Sequence, residues 1–383
     1  MNLRVNILSC YLDNAATTAL LPEVKEYLIS ILDVFGNPSS THSEGVKVNR
    51  LIESVRGKVA KFINANFSED IYFTSSGSAS NTLGVQGFVL VNKCRVLYSP
   101  TSHKSILKTI ENLERFYKID TSELRVDSFG NIDIDFLKRE LSKDAKNVLV
   151  VLEYANSETG TVQDIKKISD IVHRYNGKLL VDCTGSISTI PLNVIDLNID
   201  MATFSAHKIG ALKGVGVLYK KNDIELLPII YGSQEQGLFA GTENVLGILS
   251  LGKAIDVMDY DKTSYNRDFV WGCVKNIEGI YLIGSPLDKN RLNNNLYICV
   301  KGVSGGDMVA LIDDVYKIQI STGSACNNGS SSPSSTALAM GMSKEDADSC
   351  VRISFSGNET EDELKEFCKN FDTCIKMLRN LKD

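Results

Sequence analysis

The feature that most constrains the fold is an alternation of short apolar segments with helix-like segments between residues 70 and 220. The strand-like segments are DIYFTSS (70–76), CRVLYSP (94–100), NVLVVLEYA (147–155), KLLVDC (178–183), DMATFSA (200–206) and GVGVLYK (214–220). Several are almost continuously apolar, which is typical of strands in a sheet covered on both faces. Helix-like segments such as Ser102–Phe116 and Asp164–Tyr175 lie between them. The alternation predicts an α/β fold with a mostly parallel central sheet flanked by helices.

The pattern changes after about residue 250, where mixed strand-like and helix-like segments predict a smaller α+β domain. We therefore expect a large domain over 14–250 and a small C-terminal domain over 251–383, with residues 1–13 packing on the small domain. The last helix should begin at a capping box formed by Thr360 and Glu363.

Composition excludes several classes of function. A formal net charge of -6 gives no overall attraction for nucleic acid, and no apolar run is long enough to span a membrane. The N-terminal apolar run is too short for a signal peptide. Nine cysteines without CxxC pairs favour a reducing cytoplasm, and the four histidines show no metal-ligand spacing. We thus predict a cytoplasmic protein with no metal site.

Two of the strand ends carry candidate ligand-binding residues. Gly77 and Ser78 follow the first strand-like segment at a helix start, where backbone N–H groups can hold a phosphate. His103 follows the second strand-like segment at another helix start. Many such turns bind nothing, and a lone histidine is often structural.

Two further strand ends carry charged residues. Asp182 ends a buried apolar strand, where a carboxylate is costly unless paired, so it is either a partner for a protonated ring nitrogen or a structural ion pair or cap. Lys208 is either a solvated charge or an amine that forms a Schiff base, and Ser205 and His207 beside it can donate to a phosphate.

Cys326 lies in a segment rich in Ser, Gly and Asn, from Ser321 to Ser335, whose composition predicts a mobile loop. Taken alone, it is either an incidental surface thiol or a reactive one. Cys368 and Cys374 recur at helical spacing in the last helix, so we expect them on its core face, and Cys299 in a strand-like run should also be buried.

Together these segments resemble the cysteine desulfurases, which belong to the class V aminotransferase group of fold-type-I, pyridoxal 5'-phosphate (PLP)-dependent transferases. The matching motifs, in family order, are YLDNAATT (11–18), FGNPSSTH (35–42), FTSSGSASNT (73–82), SHKSIL (102–107), ANSETGTVQDI (155–165), LLVDCTGS (179–186), FSAHKIGALKGVGVLY (204–219), AGTENVLG (240–247), STGSACNNGS (321–330) and VRISFSG (351–357).

The resemblance implies roles for the residues that bind the cofactor ring. Lys208 would bind PLP covalently and shuttle the substrate Cα proton, Asp182 would pair with the pyridinium nitrogen, and His103 would stack on the ring and act in acid–base chemistry. Ser157 stands where the family has an asparagine that contacts cofactor and substrate.

The same resemblance implies how the cofactor phosphate is held. Gly77, Ser78, Ser205 and His207 would hold it within one chain. Thr242 would reach it from the second subunit of a homodimer.

For the substrate, the resemblance implies that Arg352 binds the carboxylate of L-cysteine and that Asn37 lines the same side. Cys326 would attack the substrate sulfur, leave L-alanine and carry a persulfide to an acceptor protein. The acceptor could serve iron–sulfur cluster assembly, tRNA thiolation or DNA phosphorothioation.

The chain departs from the family at several positions around the site, among them Gly77, Ser78 and Ala79, which stand where the family has Ala, Thr and Glu. Gly185 replaces a glutamine, Ser157 replaces the asparagine, and Phe239 replaces an arginine. Loss of two donors to the ionised ring oxygen predicts a specialised or slow desulfurase. The alternatives are a catalytically weakened PLP-binding interaction subunit and a selenocysteine lyase-like enzyme.

Overall fold

The computed structural model describes residues 10–143, 147–260, 264–323 and 333–381. The predicted nucleophile Cys326 and residues 1–9 of the predicted N-terminal contact lie outside these ranges. Within the described ranges, no helix is both long and apolar enough to cross a membrane.

Strands and helices alternate over the region in which the sequence predicts alternation. In the described part of the chain the strands are β1 (Cys10–Tyr11), β2 (Ile71–Thr74), β3 (Arg95–Tyr98), β4 (Thr121–Glu123), β5 (Val148–Glu153), β6 (Lys178–Asp182), β7 (Met201–Ser205), β8 (Gly216–Lys220), β9 (Ile280–Leu282), β10 (Asn295–Val300), β11 (Ile318–Gln319) and β12 (Cys350–Ser354). The helices there are α1 (Pro22–Ser30), α2 (Ser43–Phe62), α3 (Gly77–Asn92), α4 (Lys104–Tyr117), α5 (Ile134–Lys143), α6 (Ile165–Arg174), α7 (Val245–Val257), α8 (Ser264–Val274), α9 (Gly305–Tyr316), α10 (Ser335–Ala339), α11 (Lys344–Asp348) and α12 (Glu361–Asn380). Each of the six predicted strands of the large sheet is present.

The large sheet has the strand order β2-β8-β7-β6-β5-β3-β4. Only β8 runs against its neighbours, because it pairs antiparallel with both β2 and β7. The remaining neighbours pair in parallel. The predicted mostly parallel sheet is therefore confirmed, and the carboxyl ends of β2, β3, β5, β6 and β7 meet at one edge.

Both faces of this sheet are buried. Along β5, Val150 and Leu152 belong to one core cluster, whereas Leu149 and Val151 belong to a second cluster on the opposite face. Helices α2 and α7 pack with the first cluster, and α3 and α4 with the second. Burial on both faces explains why the strand segments are almost continuously apolar.

A second, antiparallel sheet has the order β12-β10-β9, and a separate parallel pair joins β1 to β11. One face of the antiparallel sheet packs on α8, α9 and α12 around residues such as Phe367 and Phe371. The described N-terminal strand thus lies against a strand of the C-terminal half. The domain limits 14–250 and 251–383 stay a prediction.

The last helix begins as predicted. The Thr360 side chain accepts from the Glu363 N–H while the Glu363 side chain accepts from the Thr360 N–H, which completes the capping box. Cys374 is fully buried, and Cys368 is partly buried against the same core. The predicted burial of Cys299 is confirmed as well.

Candidate active site

The edge at which the parallel strands end collects most of the predicted site residues. Gly77 begins α3 just after β2, and His103 is the N-cap of α4 just after β3. Asp182 is the last residue of β6, and Lys208 ends a 3-10 turn that follows β7. In open α/β sheets ligands bind at the carboxyl ends of the strands, so this edge is the candidate active site.

Asp182 is held in place by a small hydrogen-bond network. The residue is 4% exposed, and its carboxylate accepts from Asn81 Nδ2 at 2.8 Å and from the backbone N–H of Thr184 at 2.8 Å. Asn81 also donates to Ser105 Oγ at 3.1 Å, while its own carbonyl accepts from Thr203. Two donors keep one carboxylate oriented at the strand end, as a partner for a cationic ring nitrogen requires.

His103 is connected to the same network through Ser105. The backbone N–H of Ser105 donates to His103 Nδ1 at 3.1 Å, and Ser105 Oγ lies 2.8 Å from the same nitrogen. Because Nδ1 accepts this backbone hydrogen bond, the neutral ring carries its proton on Nε2. Asn81 and Ser105 therefore link the Asp182 carboxylate to the imidazole of His103.

Lys208 is fixed by the N-terminal segment, residues 10–18. Its Nζ donates to the carbonyl oxygens of Ala15 and Ala16, the latter at 2.8 Å. The neighbouring His207 accepts at its backbone carbonyl from Thr18 Oγ1 at 2.9 Å. The YLDNAATT motif therefore positions the turn that carries the lysine.

His207 is half-buried beside two cationic side chains. Its Nδ1 lies 3.0 Å from Thr17 Oγ1. Burial, followed by the positive charges of Lys208 and Lys213, lowers the pKa of His207 from 6.5 to about 4. The imidazole is therefore neutral near pH 7 and can hold a hydrogen bond to an anion.

The start of α3 and the strand ends beside it form a candidate anion site. A Cβ at Gly77 would lie 3.2 Å from Ser205 Cβ and 3.3 Å from Thr184 Oγ1, so the absence of a side chain at 77 leaves the helix N-terminus open. Thr184 Oγ1 is buried without a hydrogen-bond partner. The Ala79 N–H is already capped by Ser76 Oγ at 3.1 Å. The N–H groups of Gly77 and Ser78 are therefore those that, together with the orphaned Thr184 hydroxyl, fit a phosphate.

Arg352 lies in β12 and reaches this edge from the small sheet. It is 3% exposed, its Nη2 pairs with Asp13 Oδ1 at 2.7 Å, and its Nη1 donates to the carbonyl of Ser157 at 3.2 Å. Its Nε is buried without a partner. A guanidinium with an unused donor is suited to a planar carboxylate.

The remaining predicted residues are not joined to the edge by the contacts that the structure describes. Asn37 is exposed and accepts from the Ser39 N–H within its own loop. Thr242 is exposed. No group of three or more His, Cys, Asp or Glu side chains in the described ranges is arranged to hold a metal.

Sequence reasoning missed Asn81 and Glu153. Glu153 is 5% exposed, accepts from Thr101 and from Ser102 Oγ at 3.0 Å, and burial raises its pKa. It pairs in register with Asp182 across β5 and β6, and it ties the His103 turn to the sheet. One feature of the sequence could have identified Glu153: it is an acidic residue inside the apolar run VLVVLEYA, where a buried carboxylate needs a partner.

Gly185 occupies the position where the cysteine desulfurases have a glutamine, and the structure leaves no room for a side chain there. A Cβ there would lie 2.6 Å from the carbonyl oxygen of Ala155 and 3.5 Å from the Ser157 backbone nitrogen. The backbones after β5 and β6 therefore approach too closely for any side chain at 185.

We expect Gly185→Ala to lower the free energy of unfolding by about 1–3 kcal/mol, because the added methyl forces the Ala155 backbone to move. Gly57→Ala is the matched control, since nothing lies within 4 Å of a Cβ at Gly57 and alanine in mid-helix should stabilise by about 0.5–1 kcal/mol. Urea denaturation gives the midpoints of unfolding of the wild type and the two variants. Equal midpoints for wild type and Gly185→Ala would contradict the steric argument.

Comparison with known proteins gives consistent matches. The model of the family "Aminotransferase class-V" matches residues 10–367. The cysteine desulfurase IscS of Dictyoglomus turgidum is 36% identical, over 97% of this chain and 95% of that protein. Cysteine desulfurase IscS 1 of Archaeoglobus fulgidus is 33% identical, over 97% and 98%.

Solved structures agree with the fold. A NifS-like protein superposes with a TM-score of 0.89 at 28% identity, covering 97% of this chain and 100% of that chain. SspA in complex with cysteine gives a TM-score of 0.79 at 28% identity, covering 92% and 100%. The predicted fold-type-I architecture is thereby confirmed.

The sheet, the candidate active site at its edge and the family match define an enzyme of the class V aminotransferase fold. Within that class, the chain belongs to the cysteine desulfurase family, as its ten motifs implied.

Proposed function

We propose that the protein is a PLP-dependent L-cysteine desulfurase that releases L-alanine and leaves the sulfur on Cys326 as a persulfide. The observation that carries the proposal is the convergence of Lys208, Asp182, His103 and Arg352 at one sheet edge in a member of this family. Incubating purified protein with L-cysteine and a thiol reductant should yield alanine and sulfide in equal amounts. Absence of alanine would overturn the assignment.

The residues present fit PLP. Lys208 supplies the amine, Asp182 the partner for the ring nitrogen, and the α3 N-terminus with Ser205, His207 and Thr184 the phosphate cradle. When bound, PLP would withdraw electrons from the substrate Cα, which acidifies the Cα–H bond and assists cleavage of the carbon–sulfur bond at the neighbouring Cβ. In this proposal Ser78 at the helix start also donates to the phosphate.

The protein's own residues then divide the work. Arg352 would bind the substrate carboxylate through the guanidinium face that has an unused Nε. Lys208 would move the Cα proton, and His103, with its proton on Nε2, would donate a hydrogen bond to the bound substrate. The Cys326 thiol would take the sulfur: its S–H bond and the Cβ–S bond of the substrate break, an S–S bond forms, and Cβ gains the proton.

The proposal extends to partners that the sequence implied. A homodimer in which Thr242 of one subunit reaches the other's phosphate is consistent with the exposure of Thr242 in the single chain. A sulfur-acceptor protein is required because the persulfide must be discharged. We further propose a cytoplasmic location, on the basis of the cysteine pattern, and a place for Asn37 on the substrate side.

One observation favours a second function. The Gly185 and Ala155 backbones approach each other so closely that no side chain fits at 185, and residue 157 is a serine. The phenolic oxygen of PLP would therefore lack the two hydrogen-bond donors, a glutamine and an asparagine, that the family provides. A weakened, PLP-binding interaction subunit would hold the cofactor but form no alanine with any acceptor present. The turnover assay above separates the two functions.

The phosphate cradle predicts a cofactor-dependent change at His207. In the protein without PLP, His207 stays neutral down to about pH 4, so the folded state loses stability as the pH falls from 6.5 towards 4, where only the unfolded chain takes up the proton. A bound phosphate dianion should raise this pKa. Histidine NMR titration measures it, with His207→Gln assigning the resonance. Pyridoxal without phosphate is the control, and an equal shift with both compounds would remove His207 from the cradle.

A further inference from the structure

The small sheet places two cysteines directly opposite each other. Cys299 of β10 pairs in register with Cys350 of β12. The adjacent Val300 N–H donates to the Ser349 carbonyl at 2.9 Å, so hydrogen-bonded and non-hydrogen-bonded pairs alternate from there and the cysteines occupy a non-hydrogen-bonded position. At such positions the Cα atoms lie about 4.5 Å apart. That spacing falls within the range of about 4.4–6.8 Å that disulfides span.

The two thiols also point at the same place. Cys299 Sγ and Cys350 Sγ both donate to the carbonyl oxygen of Asp346, at 3.5 Å and 3.2 Å. Both side chains are buried, at 0% and 1% exposure. Contact with Cys350 lowers the pKa of Cys299, and the same contact raises the pKa of Cys350, so one of the pair is the more ready to form a thiolate.

This pair lies on the face of the sheet that carries Arg352. Residues two apart on a strand share a face, and the next non-hydrogen-bonded pair along is Tyr297 with Arg352. Ile298 and Val351, between the two pairs, face the opposite core. A change in strand separation at Cys350 therefore acts on the arginine two residues away.

We propose that Cys299 and Cys350 form an oxidisable dithiol whose conversion to a cross-strand disulfide weakens carboxylate binding by Arg352. The second half rests on the proposed function. With hydrogen peroxide, two S–H bonds break, one S–S bond forms, both sulfurs are oxidised, and the peroxide is reduced to two water molecules. Peroxide is small and uncharged, and it reaches buried thiols through local opening.

The disulfide has a geometric consequence. Its preferred Cα separation of about 5.5–6 Å exceeds the separation of about 4.5 Å at this position, so the bond spreads β10 and β12. Both thiols must also leave the Asp346 carbonyl. The Arg352 guanidinium, held at Asp13 and at the Ser157 carbonyl, then shifts relative to these partners.

The test uses the holoprotein with Cys273→Ser and Cys326→Ala, because Cys273 and Cys368 also contact each other and Cys326 would itself be oxidised. After peroxide treatment under native conditions, remaining thiols are blocked and non-reducing digests are analysed by mass spectrometry. We expect a peptide linking Cys299 to Cys350, lighter by about 2 Da through the loss of two hydrogens. Absence of that linked peptide overturns the dithiol.

The effect on the site is measured with L-alanine, which carries the carboxylate but has no thiol to reduce the disulfide. Its Kd, from the visible absorbance of the bound cofactor, should rise about threefold or more on oxidation and recover on reduction, as expected for one weakened hydrogen bond. Adding Cys350→Ser should abolish the peroxide effect. An unchanged Kd with the linked peptide present overturns the coupling to Arg352. If the purified protein shows no cofactor absorbance, the proposed function is refuted. The presence or absence of the linked peptide still shows whether Cys299 and Cys350 form a disulfide.

Discussion

Replacing Lys208 by alanine is expected to reduce alanine formation from L-cysteine at least about a hundredfold and up to about ten-thousandfold, the range over which a positioned acid–base group acts. The reason is that Nζ is held at the strand ends by the carbonyls of Ala15 and Ala16, where, in the proposed function, it would bind the cofactor and later move the substrate proton. The visible spectrum of the PLP-loaded protein should change in the same variant, because the covalent link is lost.

Two controls separate the amine from its charge and its surroundings. Lys208→Arg keeps a cation that can donate to Ala15 and Ala16 but cannot form an imine, so it should be as inactive as the alanine variant. Lys213→Ala removes an exposed lysine of the same loop and should retain activity. Substantial turnover by Lys208→Arg would contradict the proposed role.

Replacing Cys326 by alanine is expected to abolish release of sulfide and alanine while the bound-cofactor colour survives. The carbon–sulfur bond cannot be cleaved productively if no thiol accepts the sulfur, whereas the residues that hold the cofactor lie on other segments. The assay measures sulfide and alanine together with the visible spectrum of the variant.

Cys273→Ala provides the matched control, because Cys273 is an exposed thiol on α8 and has no place in the proposed chemistry. It should keep full turnover. Sulfide release that persists in Cys326→Ala would assign the sulfur acceptor to another group.

The main features of the large sheet could be predicted because strands buried on both faces are almost continuously apolar in sequence. Strands β5 and β6 are almost wholly apolar, so their positions were readable. Strand β4 was missed because Thr121–Glu123 is a short, polar strand at the sheet edge and has no apolar run. The predicted helix Asp164–Tyr175 corresponds to α6, with Asp164 as its N-cap.

The site was predictable where a residue type is unusual for its position, and not where geometry alone decides. Asp182 and Lys208 stand out as charges beside apolar strands. Asn81 lies in an ordinary helical segment, and its contact with Asp182 depends on how α3 packs across the sheet. The pairing of Cys299 with Cys350 depends on strand register, which the two segments do not encode separately.

The short stretch that contains Asp13, Ala15 and Ala16 touches both halves of the proposed chemistry at once. Asp13 binds the arginine of the small sheet, and three residues later the same backbone binds the lysine of the large sheet. The spacing between the carboxylate-binding group and the amine is thus set by a single turn, closed by the Ala16 N–H donating to the Asp13 carbonyl at 3.0 Å. If this segment is displaced, the Arg352 guanidinium and the Lys208 amine both lose a partner. Substrate affinity and proton transfer should therefore decrease together.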